Sequence, residues 1–457
     1  MIKLHLPSLL PCLAFLISSL ELLGAAKPNI ILILADDLGY ADTGFNNSPA
    51  ARTPHLDAFV KDGVKLTDFR ACPMCSPTRA GTLTGRWPLR FGMMRAVIPP
   101  WSKYGLPTEE NTLPELLAKS GYDRRGIIGK WHLGHSKKSH LPLAHGFTHF
   151  IGHYNGAIDY FTHEREGQLD WHKNEAPLRE KGYATDLLAQ HAIDFINDSP
   201  TDRPYFLYLP FNAPHSPFQA TEADLALHSS IKDKKRQTYA AMVTAMDRAI
   251  GQVLTTVESR PDADNTLVIF FSDNGGILSV GSNAPYRGAK LNLYEGGTRV
   301  TAALRWPAQN LNEGKTFPER IGYIDILPTI LQAAGADRPE NIDGINFLPA
   351  ILGDKTIPAR PWLSYLHQSK QATSSLHLGP WKLIANGDAF HSKDLTLELY
   401  NLKTDPREKS NLAEKHPDRA ATMLSRIKKL GTLQVPGATA YKQGRKGFTA
   451  PKDWLIK

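Results

Sequence analysis

Residues 28–39 read Pro28-Asn29-Ile30-Ile31-Leu32-Ile33-Leu34-Ala35-Asp36-Asp37-Leu38-Gly39. The run Ile30 to Leu34 is continuously apolar and mostly β-branched, the pattern of a strand buried on both faces of a sheet. It stops abruptly at two carboxylates. Two later runs have the same form: Tyr205 to Phe211 leads into Asn212-Ala213-Pro214-His215, and Thr266 to Phe271 leads into Ser272-Asp273-Asn274-Gly275-Gly276. Each delivers polar groups at its C-terminal end, the edge at which open α/β sheets bind ligands. Amphipathic stretches at Leu113 to Lys119, Ala184 to Ile196 and Tyr239 to Val257 read as helices between them. The expected fold is therefore α/β, a large mixed sheet sandwiched by helices. From about Pro358 the pattern changes to short strand-like pieces, Trp381 to Ile384 and Leu397 to Leu402, followed by a helical stretch around Ala420 to Leu430. This predicts a main domain over 27–357 and a smaller C-terminal α+β subdomain, built on a short antiparallel sheet, over 358–457.

The chain has 457 residues, 42% hydrophobic and 21% charged, which is ordinary for a globular protein and argues against general disorder. Its first residues read as an export signal: Lys3 and His5, a largely apolar stretch from Leu9 to Leu23, then the small residues Gly24, Ala25 and Ala26. That stretch is short for a membrane span and is interrupted by Glu21, so the expectation is a secreted or periplasmic protein, cleaved near Ala26, without stable membrane insertion. The net charge of +8 suits an anionic substrate, yet a dispersed solvated surface accounts for it equally well. No nucleic-acid-binding motif accompanies the charge. Export would leave Cys72 and Cys75, and one possible pair cannot be the main scaffold of such a chain. Cys72-Pro73-Met74-Cys75 admits a redox pair, half of a zinc site, or another use. Zinc lacks further soft ligands here, and a redox site lacks its usual small βαβ surroundings.

Asp36 and Asp37, adjacent at the end of a buried strand, repel each other and are costly to desolvate. An Asp-rich turn or helix cap would account for the dipeptide alone. With Asp273 and Asn274 ending another core strand, four oxygen donors point to a hard cation, calcium or magnesium.

The segment Cys75-Ser76-Pro77-Thr78-Arg79, followed by Ala80-Gly81-Thr82-Leu83-Thr84-Gly85-Arg86, resembles the type I sulfatases of the alkaline phosphatase superfamily, which carry C-x-P-x-R. Gly129-Lys130-Trp131-His132-Leu133-Gly134 is similar to the family's G-K-W-H-L-G segment, and Asn212-Ala213-Pro214-His215 to its P-H block. Lys290 and Tyr294-Glu295-Gly296-Gly297-Thr298-Arg299 match its E-G-G block. The resemblance runs from about residue 28 to 412 and implies an alkaline-phosphatase-like fold and a sulfuric ester hydrolase. It further implies that a maturation enzyme oxidises Cys75 to formylglycine. One hydroxyl of the hydrated aldehyde would attack sulfur, forming a covalent sulfo-enzyme intermediate, and the other would later expel the sulfate. One calcium ion per chain would be held by Asp36, Asp37, Asp273, Asn274 and the modified residue 75. Arg79 and Lys130 would orient the formylglycine, Lys290 would grip the sulfate, His215 would protonate the departing alcohol together with Lys290, and His132 would deprotonate the second hydroxyl.

The stretch Gly152 to Glu164 and the segment Asn283-Ala284-Pro285-Tyr286-Arg287-Gly288 look like arylsulfatase B, an N-acetylgalactosamine 4-sulfatase. This implies a sulfated galactose-type or N-acetylgalactosamine-type glycan, from a glycosaminoglycan or an algal galactan. Tyr160, His163 and Trp101 are candidates to line a sugar subsite, or else to pack inside the protein. Two rival readings stand: a phosphonate or phosphodiester hydrolase of the same superfamily, and a sulfated-glycan-binding protein in which Cys75 stays a thiol or is lost to a Cys72–Cys75 disulfide.

Overall fold

A computed structural model describes residues 26–48, 52–94, 97–368, 371–392 and 394–457. The expected export signal lies outside the described residues, apart from Ala26. No helix among the described residues is long and apolar enough to cross a membrane.

Asn29–Ala35 is a strand with every residue buried, at the middle of a ten-stranded sheet. Thr266–Ser272 flanks it on one side and Tyr205–Pro210 on the other, both parallel to it. Arg124–Lys130 and His149–His153 extend the parallel set. Beyond Thr266–Ser272 the sheet becomes mixed, because Ala302–Arg305 pairs antiparallel. Alternation along the first strand divides the core. Ile30, Leu32 and Leu34 face helices Cys75–Thr84, Leu113–Ala118 and Ile326–Ala333. Ile31, Ile33 and Ala35 face helices Pro54–Lys61, Ala184–Asn197 and Lys234–Glu258. A sheet covered on both faces needs such uninterrupted apolar strands.

A separate antiparallel sheet of four strands follows, Trp362–Gln368, Gln371–Leu378, Trp381–Asn386 and Thr396–Asn401, with helix Pro417–Gly431 afterwards. It joins the main domain through charge as well as apolar packing. Glu295, fully buried, meets Arg70 at 2.7 Å, His377 at 3.0 Å and Lys382 at 3.0 Å, and Lys382 reaches Glu408 at 2.7 Å. Glu408 also accepts the Glu295 backbone N–H at 2.7 Å. Burial opposes ionisation of Glu295, but Arg70, Lys382 and His377 hold it well below the usual carboxylate range. The cluster fastens the small sheet to the helical turn Glu295–Thr298, five residues after Lys290.

Removing one partner of a buried ion cluster strands the other charge, at a cost of roughly 3–5 kcal/mol. Lys382→Met should lower stability by about that amount in a denaturant titration, and an unchanged midpoint would contradict the assigned role of the cluster.

Candidate active site

The strand ends place the site. Ala35 is in register with Ser272, and Leu34 with Pro210, so Asp36, Asp273 and Asn212 leave the sheet at one edge. Backbone bonds hold that edge level: Asp273 N–H donates to Ala35 O at 3.0 Å, and Asp36 N–H to Ala213 O at 3.0 Å. Lys130 ends a neighbouring strand. Cys75 opens helix Cys75–Thr84, an element that sequence pattern did not reveal. Asp37 and His132 sit at φ 64° and 55°, and Leu291, next to Lys290, at 66°. Left-handed backbone is uncommon for non-glycine residues, and strain of this kind gathers at functional sites.

The residues expected to react or to hold the cation gather at this edge, whereas the sugar-subsite candidates do not. Cys75 Sγ lies 3.4 Å from Asp36 Oδ1 and 3.4 Å from Lys290 Nζ. Lys130 Nζ binds Asp36 Oδ2. Arg79 donates to Asp273 Oδ2 through Nε at 3.0 Å and through NH2 at 2.8 Å, and its NH2 also lies 3.4 Å from Asp36 Oδ2. Lys290 Nζ meets Asp37 Oδ1 at 2.7 Å. Asn274 Nδ2 donates to the same oxygen at 2.7 Å. His215 Nε2 stands 3.6 Å from Asp37 Oδ2.

Burial and crowding shift the titrating groups in opposite directions. Burial pushes the Cys75 thiol well up, and Asp273 and Asp36 add to this, so the unmodified thiol is protonated and a weak nucleophile. Cys72 is pushed up to about 12 by burial. Both cysteines are free. Burial also works against Asp36, yet Lys130, His215 and Arg79 hold it below the usual range. Asp273 is raised to about 6 by burial and by Asp36. Lys290 is raised, because its acidic neighbours outweigh burial. His215 is lowered to about 4 by burial and Lys290. His132 falls well below its ordinary value through burial, with Lys130 and Arg79 contributing.

Ring contacts assign tautomers to both histidines. His215 Nδ1 lies 2.6 Å from the Ser216 carbonyl and His132 Nε2 lies 3.1 Å from that of Ile98. A proton on each of those nitrogens leaves His215 Nε2 and His132 Nδ1 with lone pairs. His132 Nδ1 is buried without a hydrogen-bond partner. Gly156 lies against the same ring, where a Cβ would come 2.4 Å from Nε2.

The donor set fits a hard cation. Asp37 Oδ2 and Asn274 Oδ1 are buried without hydrogen-bond partners. Ligand atoms of Asp36, Asp37, Cys75 and His215 lie within 4.8 Å of one another. The sequence pattern offers His215 as an acid and not as a cation neighbour. Its juxtaposition with Asp37 joins segments far apart in the chain and carries no local signal.

The candidate sugar-subsite aromatics are packed inside the protein. Tyr160 is 1% exposed, and its hydroxyl donates to the carbonyls of Asn212 at 2.7 Å and His215 at 2.8 Å, bracing the turn that holds His215. His163 stacks on Trp171. Trp101 packs against Tyr441 and Phe448.

Comparison with known proteins agrees with this geometry. The family model described as Sulfatase matches residues 28–336, and one described as N-sulphoglucosamine sulphohydrolase, C-terminal, matches residues 289–434. N-acetylgalactosamine-6-sulfatase of Mus musculus is 32% identical over 91% of this chain and 88% of its own. Arylsulfatase J of Mus musculus is 28% identical over 90% of this chain and 77% of its own. The crystal structure of Ps i-CgsB in complex with k-i-k-neocarrahexaose superposes with a TM-score of 0.85 at 32% identity, covering 92% of this chain and 96% of that one. A phosphonate monoester hydrolase of Agrobacterium radiobacter, at 19% identity and a TM-score of 0.65 over 89% of this chain and 95% of its own, shares the fold. The chain belongs to the sulfatase family and is a sulfuric ester hydrolase.

Proposed function

We propose that this sulfatase works through a formylglycine made from Cys75 and a calcium ion, on a sulfated galactose-type or N-acetylgalactosamine-type glycan. The observation that carries the reading is the placement of Cys75 Sγ, 3.4 Å from both Asp36 and Lys290. A thiol held protonated there is poorly suited to attack sulfur, whereas an aldehyde hydrate on the same carbon has hydroxyls to be ionised and directed. It supplies one hydroxyl to attack the sulfate ester and a second whose deprotonation releases sulfate. Asp36, Asp37, Asp273 and Asn274 would hold the calcium, which when bound would supply Lewis acidity toward the attacking hydroxyl and the sulfate oxygens.

The protein's own groups divide the remaining work. Lys290, held protonated by its acidic neighbours, neutralises the sulfate and the charge that builds in the transition state. Arg79 and Lys130 fix Asp273 and Asp36 and orient residue 75. His132, with its Nδ1 lone pair unpartnered, is suited to remove the proton of the second hydroxyl. His215 Nε2 stands beside Asp37 at the solvent-reaching side of the site. With Lys290 it hands a proton to the leaving alcohol, once Nε2 carries one.

The relatives support the glycan class, through N-acetylgalactosamine-6-sulfatases and a neighbour that holds a neocarrahexaose. The phosphonate hydrolase reading rests on shared fold alone. Free Cys72 and Cys75 argue against loss of the nucleophile precursor to a disulfide. Export before action on an extracellular glycan fits the expected signal at residues 1–26.

Cys75→Ala should lower sulfate-ester turnover more than about 10³-fold with an unchanged unfolding midpoint. Near-normal turnover would sink the mechanism. Stripping divalent ions from the protein should lower its melting temperature and calcium should restore it, because binding to the folded state alone is worth about 4 kcal/mol at a thousandfold excess over Kd. A melting temperature indifferent to calcium would remove the metal from the account.

A further inference from the structure

A cavity of about 1290 Å³ opens one residue beyond Lys290. Leu291 to Tyr294 form its near side, and Leu293 and Leu366 pack with Met74, the residue before Cys75. The C-terminal sheet forms the far wall, with Ala372, Thr373 and Asn386, and residues 431–432, 434–440 and 443 complete the lining. This exceeds the roughly 300–1,000 Å³ of ordinary small-molecule pockets, which is room for more than one sugar ring.

Its chemistry differs from that of the reacting cluster. The reacting cluster holds Lys290, Lys130 and Arg79, of which Lys290 adjoins the cavity through Leu291, and the whole chain carries a net charge of +8. Among the described residues that line the cavity there is no lysine or arginine. Amides and hydroxyls are common instead, as at Asn292, Thr373, Asn386 and Gln434, interleaved with aliphatic surface that suits the C–H faces of a sugar. Gln434 Oε1 is buried without a hydrogen-bond partner, an acceptor to which a sugar hydroxyl can donate. The anion of the lining is Asp388. It accepts from Phe390 N–H at 3.1 Å and pairs with His391 Nδ1 at 2.9 Å. Burial opposes its ionisation, but the His391 bond and nearby His367 hold it below the usual carboxylate range.

The geometry points to this cavity as a subsite for uncharged sugar units flanking the sulfated one, with Asp388 as a specificity-determining residue that disfavours a second sulfate there. The inference rests on the sulfated-glycan reading above. A flanking sulfate would face a carboxylate whose partners among the described lining residues are the imidazoles of His391 and His367, with no arginine or lysine there. Two unit charges at about 4 Å cost about 1 kcal/mol even in water, which is about fivefold in affinity.

The test uses the matured full-length protein and three substrates: a small aryl sulfate, a galactan oligosaccharide sulfated once at the reacting sugar, and the same oligosaccharide with a second sulfate on the flanking sugar. The wild type should favour the singly sulfated oligosaccharide by at least about fivefold in kcat/KM, and Asp388→Asn should erase most of that preference. Ala372→Trp, which fills the cavity, should lower the ratio of oligosaccharide to aryl-sulfate kcat/KM about tenfold, a loss of about 1.4 kcal/mol. Equal or better turnover of the doubly sulfated oligosaccharide by the wild type would overturn the inference while leaving the sulfatase reading intact. So would an Ala372→Trp ratio equal to that of the wild type. A wild type inert on all three substrates, the aryl sulfate included, would overturn the proposed function and this subsite with it.

Discussion

Three carboxylates at one buried edge of a sheet repel one another, and the site is organised around answering that repulsion. Asp36, Asp37 and Asp273 are all essentially buried, and each has a cation of its own: Lys130 on Asp36, Lys290 on Asp37, Arg79 on Asp273. With three charges of each sign the cluster is close to neutral before any ligand arrives. Oxygens of Asp37 and Asn274 nevertheless remain buried and unpartnered, so the built-in cations do not exhaust the donors. On the proposed reading a divalent ion would make the cluster net positive, which is the sign an anionic ester needs. Strand Asn29–Ala35 matters for this reason. Its length and register bring Asp36 level with Asp273, and its burial makes their charges strong enough to hold lysines and an arginine in place.

A second buried charge cluster carries that order outward. Glu295 draws together Arg70 from the main domain and His377 and Lys382 from the C-terminal sheet. The same turn anchors the loop that ends in Lys290, and the cavity beside that loop takes its far wall from the same sheet. The small sheet is therefore part of how the reacting cluster is framed. Its docking through ions rather than apolar contact alone fixes one relative placement of loop and wall, because misplacement would leave a charge buried without a partner.

The central strands were legible because a continuous apolar run of five to seven residues, cut off by polar groups, fits a strand covered on both faces and is too short for a buried helix. Their bounds in the structure differ from that expectation by a residue or so. Of the antiparallel C-terminal sheet, Trp381–Asn386 and Thr396–Asn401 were legible as short strand-like pieces, whereas Trp362–Gln368 and Gln371–Leu378 were not singled out. Residues of the reacting cluster were legible by motif; most stand at strand ends or in loops, and Cys75 and Arg79 stand on helix Cys75–Thr84. Contacts between distant segments were not legible. Nothing near Glu295 announces Lys382, and nothing near His215 announces Asp37. The helix at Cys75 escaped because its residues, Cys75-Ser76-Pro77-Thr78 among them, lack an apolar stripe and are buried all round. Tyr160, His163 and Trp101 show the converse limit, since an aromatic side chain serves a core and a sugar face equally well, and composition does not say which.

The central claim is that residue 75 does its work after conversion. Peptide mass spectrometry across Cys72 to Arg79, on protein from its native host, tests it most directly. The account predicts a formylglycine mass at position 75, with Cys72 carrying a free thiol. An active preparation in which Cys75 is an unmodified thiol, or is joined to Cys72, would contradict it.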